Sequence, residues 1–288
     1  MLSVIKMKAF ISIDLEGLPF LVIPGHLGLK GSLYSEAREI TTKVAIIVAD
    51  ELKKNGFDEV LIADSHGPMV NVLVDELPEY VEIIRGNPRP ASMVACVEEC
   101  DVALFLGYHA KFGTEKSTFD HTYSGASVHN LVINGTSASE YLLNSLAAGE
   151  YDVPVILVAG DEKLLETDVK QHTPWAERVT LKRSLSRLAA RSPSMIKIEK
   201  MLRTAVKVAT KNYNEKKVKP LKAGKNVKVD LTFRTSFLAD IAELLPIVKR
   251  KSGLEIEYEA KDIIEAYKIF QLLCWAASGA NSFMQYVS

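Results

Sequence analysis

Lys8-Ala9-Phe10-Ile11-Ser12-Ile13-Asp14-Leu15-Glu16-Gly17 begins as an apolar run and closes on two carboxylates and a glycine. Lys8–Ile13 reads as a strand. Two later segments close in the same way. They are Leu61-Ile62-Ala63-Asp64-Ser65-His66-Gly67 and Leu104-Phe105-Leu106-Gly107-Tyr108-His109-Ala110. Between the first and second lies Ser35–Asn55. Its Ile40, Val44, Ile47, Val48 and Leu52 recur at helical spacing, and Asn55-Gly56 supplies the stop. Strand, helix and strand in that order predict parallel neighbours.

Further along, Glu59–Ala63, Tyr80–Ile84, Val102–Leu106 and Val153–Ala159 read as strands. Ser92–Cys100 reads as a short helix and Ala138–Gly149 as a longer one. Leu131-Val132-Ile133 runs into Asn134-Gly135, a tight-turn signal. The rhythm predicts an α/β fold, a mainly parallel sheet flanked by helices. In such sheets ligands gather beyond the carboxyl ends of the strands. From about Thr180 the texture changes: Arg183, Arg187 and Arg191 crowd together, and Ser192-Pro193 marks a helix entry. Met195–Tyr213 is a long amphipathic helix, and Lys216–Lys225 a solvated basic connector. Val227–Phe233, Phe237–Val248, Leu254–Tyr258 and Asp262–Trp275 read as strand, helix, strand, helix. The division expected is a metal-binding catalytic α/β domain over 1–192 and a smaller C-terminal α/β domain over 193–288.

The 288 residues are 48% hydrophobic, enough for a sizeable core. Lysine and arginine number 35 against 36 aspartates and glutamates. So even a balance gives no footprint for nucleic acid or an anionic membrane surface. No apolar run approaches the ~20 residues of a membrane helix. Met1 to Lys8 is too short and too mixed for a secretory signal, and Met7 is an alternative start. The expected location is the cytoplasm. Three cysteines, Cys96, Cys100 and Cys274, provide no disulfide framework. Cys96 and Cys100, four apart, read as small half-buried residues on one helix face.

Asp14 and Glu16 are two apart, so in extended backbone both carboxylates point to the same side. Two like charges so placed repel, and a divalent cation between them removes the cost. Imidazoles from His66 and His109 complete a mixed nitrogen and oxygen set that suits zinc. Each residue also has a plainer reading. Asp14 and Asp64 can cap the turns that follow them. A single strand-end histidine is usually a packed side chain. Ser137-Ala138-Ser139-Glu140 matches a capping box, in which Glu140 bonds back to the Ser137 amide. His121 has no spacing argument of its own, and His129 and His172 read as surface residues. His26 falls in the loop Pro24–Gly28. The glycine-rich stretch Gly25–Gly31 has neither Walker spacing nor a dinucleotide fingerprint.

Asp14-Leu15-Glu16-Gly17, Asp64-Ser65-His66, Gly107-Tyr108-His109-Ala110 and Val158-Ala159-Gly160-Asp161 stand in the order and rough spacing of the M55 family of D-aminopeptidases, which the chain resembles from about Lys8 to Trp275. The resemblance implies two zinc ions per subunit. Asp14 would bridge them, Glu16 and His66 would complete one set of ligands, and His109 and Glu140 the other. It implies a catalytic role for His121 and release of the N-terminal residue from short peptides of D-amino acids. It also implies a homo-oligomeric ring, a decamer, around a chamber. Leu18-Pro19-Phe20 is bulkier than the family's usual small-residue loop, and Ser139 stands where glycine is common. Two alternatives stay open: another metal-dependent amide hydrolase, such as an L-aminopeptidase, and a non-catalytic metal-binding ring protein.

Overall fold

β1 (Lys8–Ile13) lies inside a sheet, as its apolar run requires. Ala9, Ile11 and Ile13 feed the core on one side, and Phe10 packs into the core on the other. That is the two-residue alternation of a strand covered on both faces. The computed structural model describes residues 6–287. Residues 1–5, part of the stretch read as carrying no secretory signal, lie outside the described residues.

β1 pairs in parallel with β2 (Glu59–Asp64) on one side and β4 (Val102–Tyr108) on the other. β3 (Val81–Ile84) extends the sheet beyond β2, and β7 (Val155–Asp161) and β8 (Glu177–Ser186) extend it beyond β4. β9 (Ala189–Arg191) folds back antiparallel on β8. The order is β3-β2-β1-β4-β7-β8-β9. The chain leaves β1 towards β2 and later returns to the opposite side of β1 as β4. This reversal opens a crevice at the carboxyl ends of β1 and β4, where such sheets bind ligands.

α1 (Tyr34–Lys54) and α5 (Met195–Asn214) pack together over one face of this sheet. The other face meets α2 (Glu140–Glu150), α6 (Ser236–Ala242), α7 (Ile263–Val287) and a second sheet. That sheet runs β11-β12-β10-β5-β6, made of β5 (Val128–Ile133), β6 (Thr136–Ser137), β10 (Val227–Phe233), β11 (Lys249–Arg250) and β12 (Glu255–Ala260). Two short helices, α3 (Glu162–Leu164) and α4 (Lys170–His172), flank a π-helical turn, Leu165–Val169. No helix of the described residues is long and apolar enough to cross a membrane.

The expected division at Ser192 does not coincide with the change of sheet. β5 and β6 precede it yet belong to the second sheet, where β5 pairs with β10, while α5 follows it yet covers the first sheet beside α1. The expected helix Ser92–Cys100 is two 3-10 turns, Ser92–Val94 and Val97–Glu99. Cys96 between them has a left-handed backbone, so it shares no helix face with Cys100. The helix expected over Phe237–Val248 stops at Ala242. Pro246 disfavours helical backbone in the residue before it.

Candidate metal centre

Four backbone devices bring the expected site residues together. Asp14 and Glu16 follow β1. The Asp14 amide donates to the Leu106 carbonyl at 2.9 Å, and the Gly17 amide to the Gly107 carbonyl at 2.6 Å. The loop after β1 is thereby locked to the end of β4. Gly107 has φ 71° and interrupts the pairing of β4 with β7, a bulge that re-aims the strand end. A Cβ on Gly107 would collide with the Asp14 carbonyl, and one on Gly17 with the Tyr108 carbonyl. Beyond the bulge His109 turns inward.

His66 sits on the loop after β2, which Asp64 organises. The Asp64 carboxylate accepts the Asn71 side-chain amide at 2.6 Å and the Val72 amide at 2.8 Å, while Asn71 also donates to the His66 carbonyl at 2.8 Å. Here the turn-capping reading of the aspartate is the right one. For Glu140 the capping reading is corrected. The cap of α2 is Ser139, whose hydroxyl accepts the Leu142 amide at 3.3 Å. Glu140 instead accepts the Tyr123 amide at 2.7 Å and faces the histidines.

Asp14, Glu16, His66, His109 and Glu140 are all buried. Asp14 stands in the middle. Its Oδ1 is 3.2 Å from His66 Nδ1, and its Oδ2 is 3.6 Å from His109 Nε2. Glu16 Oε2 is 2.8 Å from the same His66 Nδ1, and Glu140 Oε1 is 3.5 Å from His109 Nε2. The far nitrogen of each imidazole is committed elsewhere. His66 Nε2 donates to the Leu27 carbonyl at 2.8 Å, and His109 Nδ1 to the Ala110 carbonyl at 3.0 Å. Such carbonyl partners fix the tautomer and leave a lone pair on the nitrogen facing the carboxylates. His109 Nε2 is buried with no hydrogen-bond partner among the described residues.

Electrostatics sharpen the arrangement. Burial, then the charge of Glu16, hold Asp14 well above the usual carboxylate range. Burial pushes Glu16 the same way, but the neighbouring His66 charge prevails and holds it well below. Burial pulls His66 and His109 down, yet the carboxylates win. His66 rises well above its ordinary value, led by Glu16, and His109 is pushed up to about 10, led by Glu140. Without a metal the cluster must retain protons to hold its charges together. Cations in their place satisfy the same charges, and an orphaned imidazole nitrogen between two carboxylates suits one.

His121 joins the cluster from a loop. Its ring stacks on His109 with centroids 4.4 Å apart, and its Nε2 lies 3.5 Å from Glu140 Oε1. Nδ1 donates to the Phe119 carbonyl at 2.7 Å, so Nε2 is the free end. His109, His121 and Glu140 together, and Asp14, Glu16 and His109 together, each have donor atoms close enough to hold one ion. The His121 loop is fastened to the β8–β9 hairpin. The Ser184 hydroxyl accepts the Thr118 amide at 3.0 Å and donates to the Asp161 carboxylate. Arg187 donates to the Asp120 carboxylate, which also accepts the Gly113 amide at 2.6 Å. Sequence reasoning singled out Arg187 only as part of a basic crowd, and the Leu27 carbonyl not at all, since a backbone acceptor has no residue signature. His26 is buried on a 3-10 turn, His129 is exposed and His172 half-buried; none reaches the cluster.

A cavity of about 500 Å³ opens beside these groups, lined by Asp14, Glu16, His66, His121 and Glu140 and walled in part by α7. A family model described as Peptidase M55, D-aminopeptidase, matches residues 7–272. A D-aminopeptidase of Bacillus subtilis (strain 168) is 33% identical over 264 residues, 91% of this chain and 94% of that relative. The solved structure of the zinc-dependent D-aminopeptidase DppA from Bacillus subtilis, a self-compartmentalizing protease, aligns with a TM-score of 0.90. Its sequence identity is 31%, over 94% of this chain and 98% of that one.

Proposed function

The chain belongs to the M55 family of D-aminopeptidases, and on that premise we propose that it is a zinc-dependent aminopeptidase releasing the N-terminal residue of short peptides, D-residues foremost. One observation carries the site assignment: the two oxygens of Asp14 address different imidazoles, Oδ1 towards His66 and Oδ2 towards His109. That supports two zinc ions with Asp14 between them, Glu16 and His66 holding one, His109 and Glu140 the other. Bound zinc supplies Lewis acidity and a nucleophile at neutral pH.

The remaining work falls to the chain's own groups. Leu27 and Ala110 fix the tautomers of the two ligand imidazoles through their carbonyls. His121 has its Nδ1 proton committed to Phe119, so Nε2 is the atom that exchanges a proton at the cavity. It hands that proton to the leaving amine or donates to the oxyanion as charge develops. A histidine free to do this favours an enzyme over a non-catalytic ring. We further propose that the chain assembles into a homo-oligomeric ring, a decamer. Leu272, Phe283 and Tyr286 on α7 are exposed apolar side chains that a second copy would cover. Three free cysteines fit the reducing cytoplasm.

The test is metal content and hydrolysis of D- and L-aminoacyl peptides on one sample, before and after chelation. About two zincs per chain, with activity lost to chelator and restored by zinc, is the expected result. Metal bound with no hydrolysis of either series would overturn the peptidase reading.

A further inference from the structure

α7 turns one stripe towards the cavity: Gln271, Cys274, Trp275 and Ser278. Their spacing of i, i+3, i+4 and i+7 defines a single helix face. The flank of α7 beside the stripe is anchored in the core through Tyr267, Phe270, Leu273 and Ala277, so packing fixes how the stripe is presented. Gln271 Nε2 donates to the Arg89 carbonyl at 3.1 Å, which fastens the wall further. Met69 and Met93 line the same cavity. Methionine adapts to irregular apolar shapes.

The charges are as informative as the shapes. The carboxylates lining the cavity are those of the metal centre, Asp14, Glu16 and Glu140, and no lysine or arginine lines it among the described residues. Burial pushes the Cys274 thiol far up, so it is neutral and no nucleophile. A carboxylate side chain entering here would exchange water for neutral hydroxyl and amide donors such as Asn87 and Ser92, near the carboxylates of the centre and with no lysine or arginine to offset the loss, which is costly. At about 500 Å³ the cavity falls within the ~300–1,000 Å³ range that encloses a small ligand, so it holds a short peptide rather than one side chain.

We propose that the α7 stripe, with Met69 and Met93, selects the side chain of the residue being released, taking neutral apolar side chains and rejecting carboxylates, with Trp275 setting the upper size. The proposal rests on the aminopeptidase reading and deepens it. Its first test is kcat/KM for D-Ala, D-Leu, D-Phe and D-Asp p-nitroanilides. The neutral series is expected to exceed D-Asp by more than ~10-fold, and Trp275→Ala to shift the D-Phe to D-Ala ratio by ~10-fold, mainly through KM. An unchanged ratio, or D-Asp as good as D-Leu, overturns the pocket. A second test needs no turnover: tryptophan emission of the zinc-loaded protein titrated with D-leucine hydroxamate and D-aspartic acid α-hydroxamate. The leucine probe should change the emission and the aspartate probe should not, and the change should vanish in Trp275→Phe, where Trp175 remains. That response without hydrolysis of any substrate would sink the aminopeptidase reading and leave the pocket standing. No response, an equal response to both probes, or one that survives Trp275→Phe overturns the pocket.

Discussion

Single residues in this site differ in what their loss should do. Asp14→Ala removes the group between His66 and His109, so both metals should go. Elemental analysis should find almost no zinc, with activity falling by more than the ~10–100-fold typical of an outer-shell change. Retention of two zincs would refute the bridging role. His121→Ala should keep its zinc and lose ~10²–10⁴ in kcat, the usual weight of a general acid or base. Loss of one zinc in that variant would instead make His121 a ligand, as its closeness to Glu140 also allows. The titration behaviour gives a third expectation. In the metal-free chain the carboxylates raise His109 to about 10, above its ordinary 6.5. Its contribution to stability is complete below about 6.5 and is lost as pH rises through about 10. Zinc must displace such protons, so its affinity falls as pH falls. Calorimetric zinc titrations at pH 7 in two buffers of different ionisation enthalpy should report release of about one proton or more per chain. Identical heats in both buffers would contradict the charge balance described for the cluster.

At the scale of elements, the β8–β9 hairpin holds the loop that carries His121, although neither strand supplies a ligand. Ser184→Ala should therefore lower kcat ~10-fold while zinc content and KM stay put, because a slight displacement of a catalytic group is costly. An equal loss of zinc would mean that the hairpin supports the metals and not the histidine. This hairpin was hard to read in the sequence, since Arg183, Arg187 and Arg191 mask a strand that is edge-like and partly exposed. β1 and β10 were legible to the residue, because burial on both faces and strict alternation leave direct marks. The two turns at Ser92–Val94 and Val97–Glu99 were not. Left-handed backbone at Cys96 breaks the helix where no glycine or proline announces it. Asp14, Glu16, His66 and His109 were legible because each follows a recognisable strand. Glu140 and His121 rested on resemblance alone, since a helix start and an irregular loop carry no comparable signal.

Across the whole molecule the two sheets are sewn together. β5, with β6 on its far side, leaves the first half of the chain to pair with β10, and α5 comes back to cover the first sheet. A fragment of residues 1–192 should fail to fold, lacking both the cover of α5 and the partner of β5. Its circular dichroism should show no cooperative melt, whereas the full chain should unfold in one transition. A stable, zinc-binding fragment would show that 1–192 is a true domain. Such pairings between distant segments are invisible to local patterns, and the division expected at Ser192 was read from local patterns alone. The same interweaving gives the metal centre a second consequence. Asp14 and His66 are 52 residues apart in the chain, and His109 and Glu140 lie further still along it. Ions held between them, as we propose, would fasten long loops that an unfolded chain leaves open, and the entropy of closing such loops grows with their length. Whatever binds only the folded state also prolongs it. A shortage of zinc would then be felt twice, first as lost chemistry and then as a shorter lifetime before degradation.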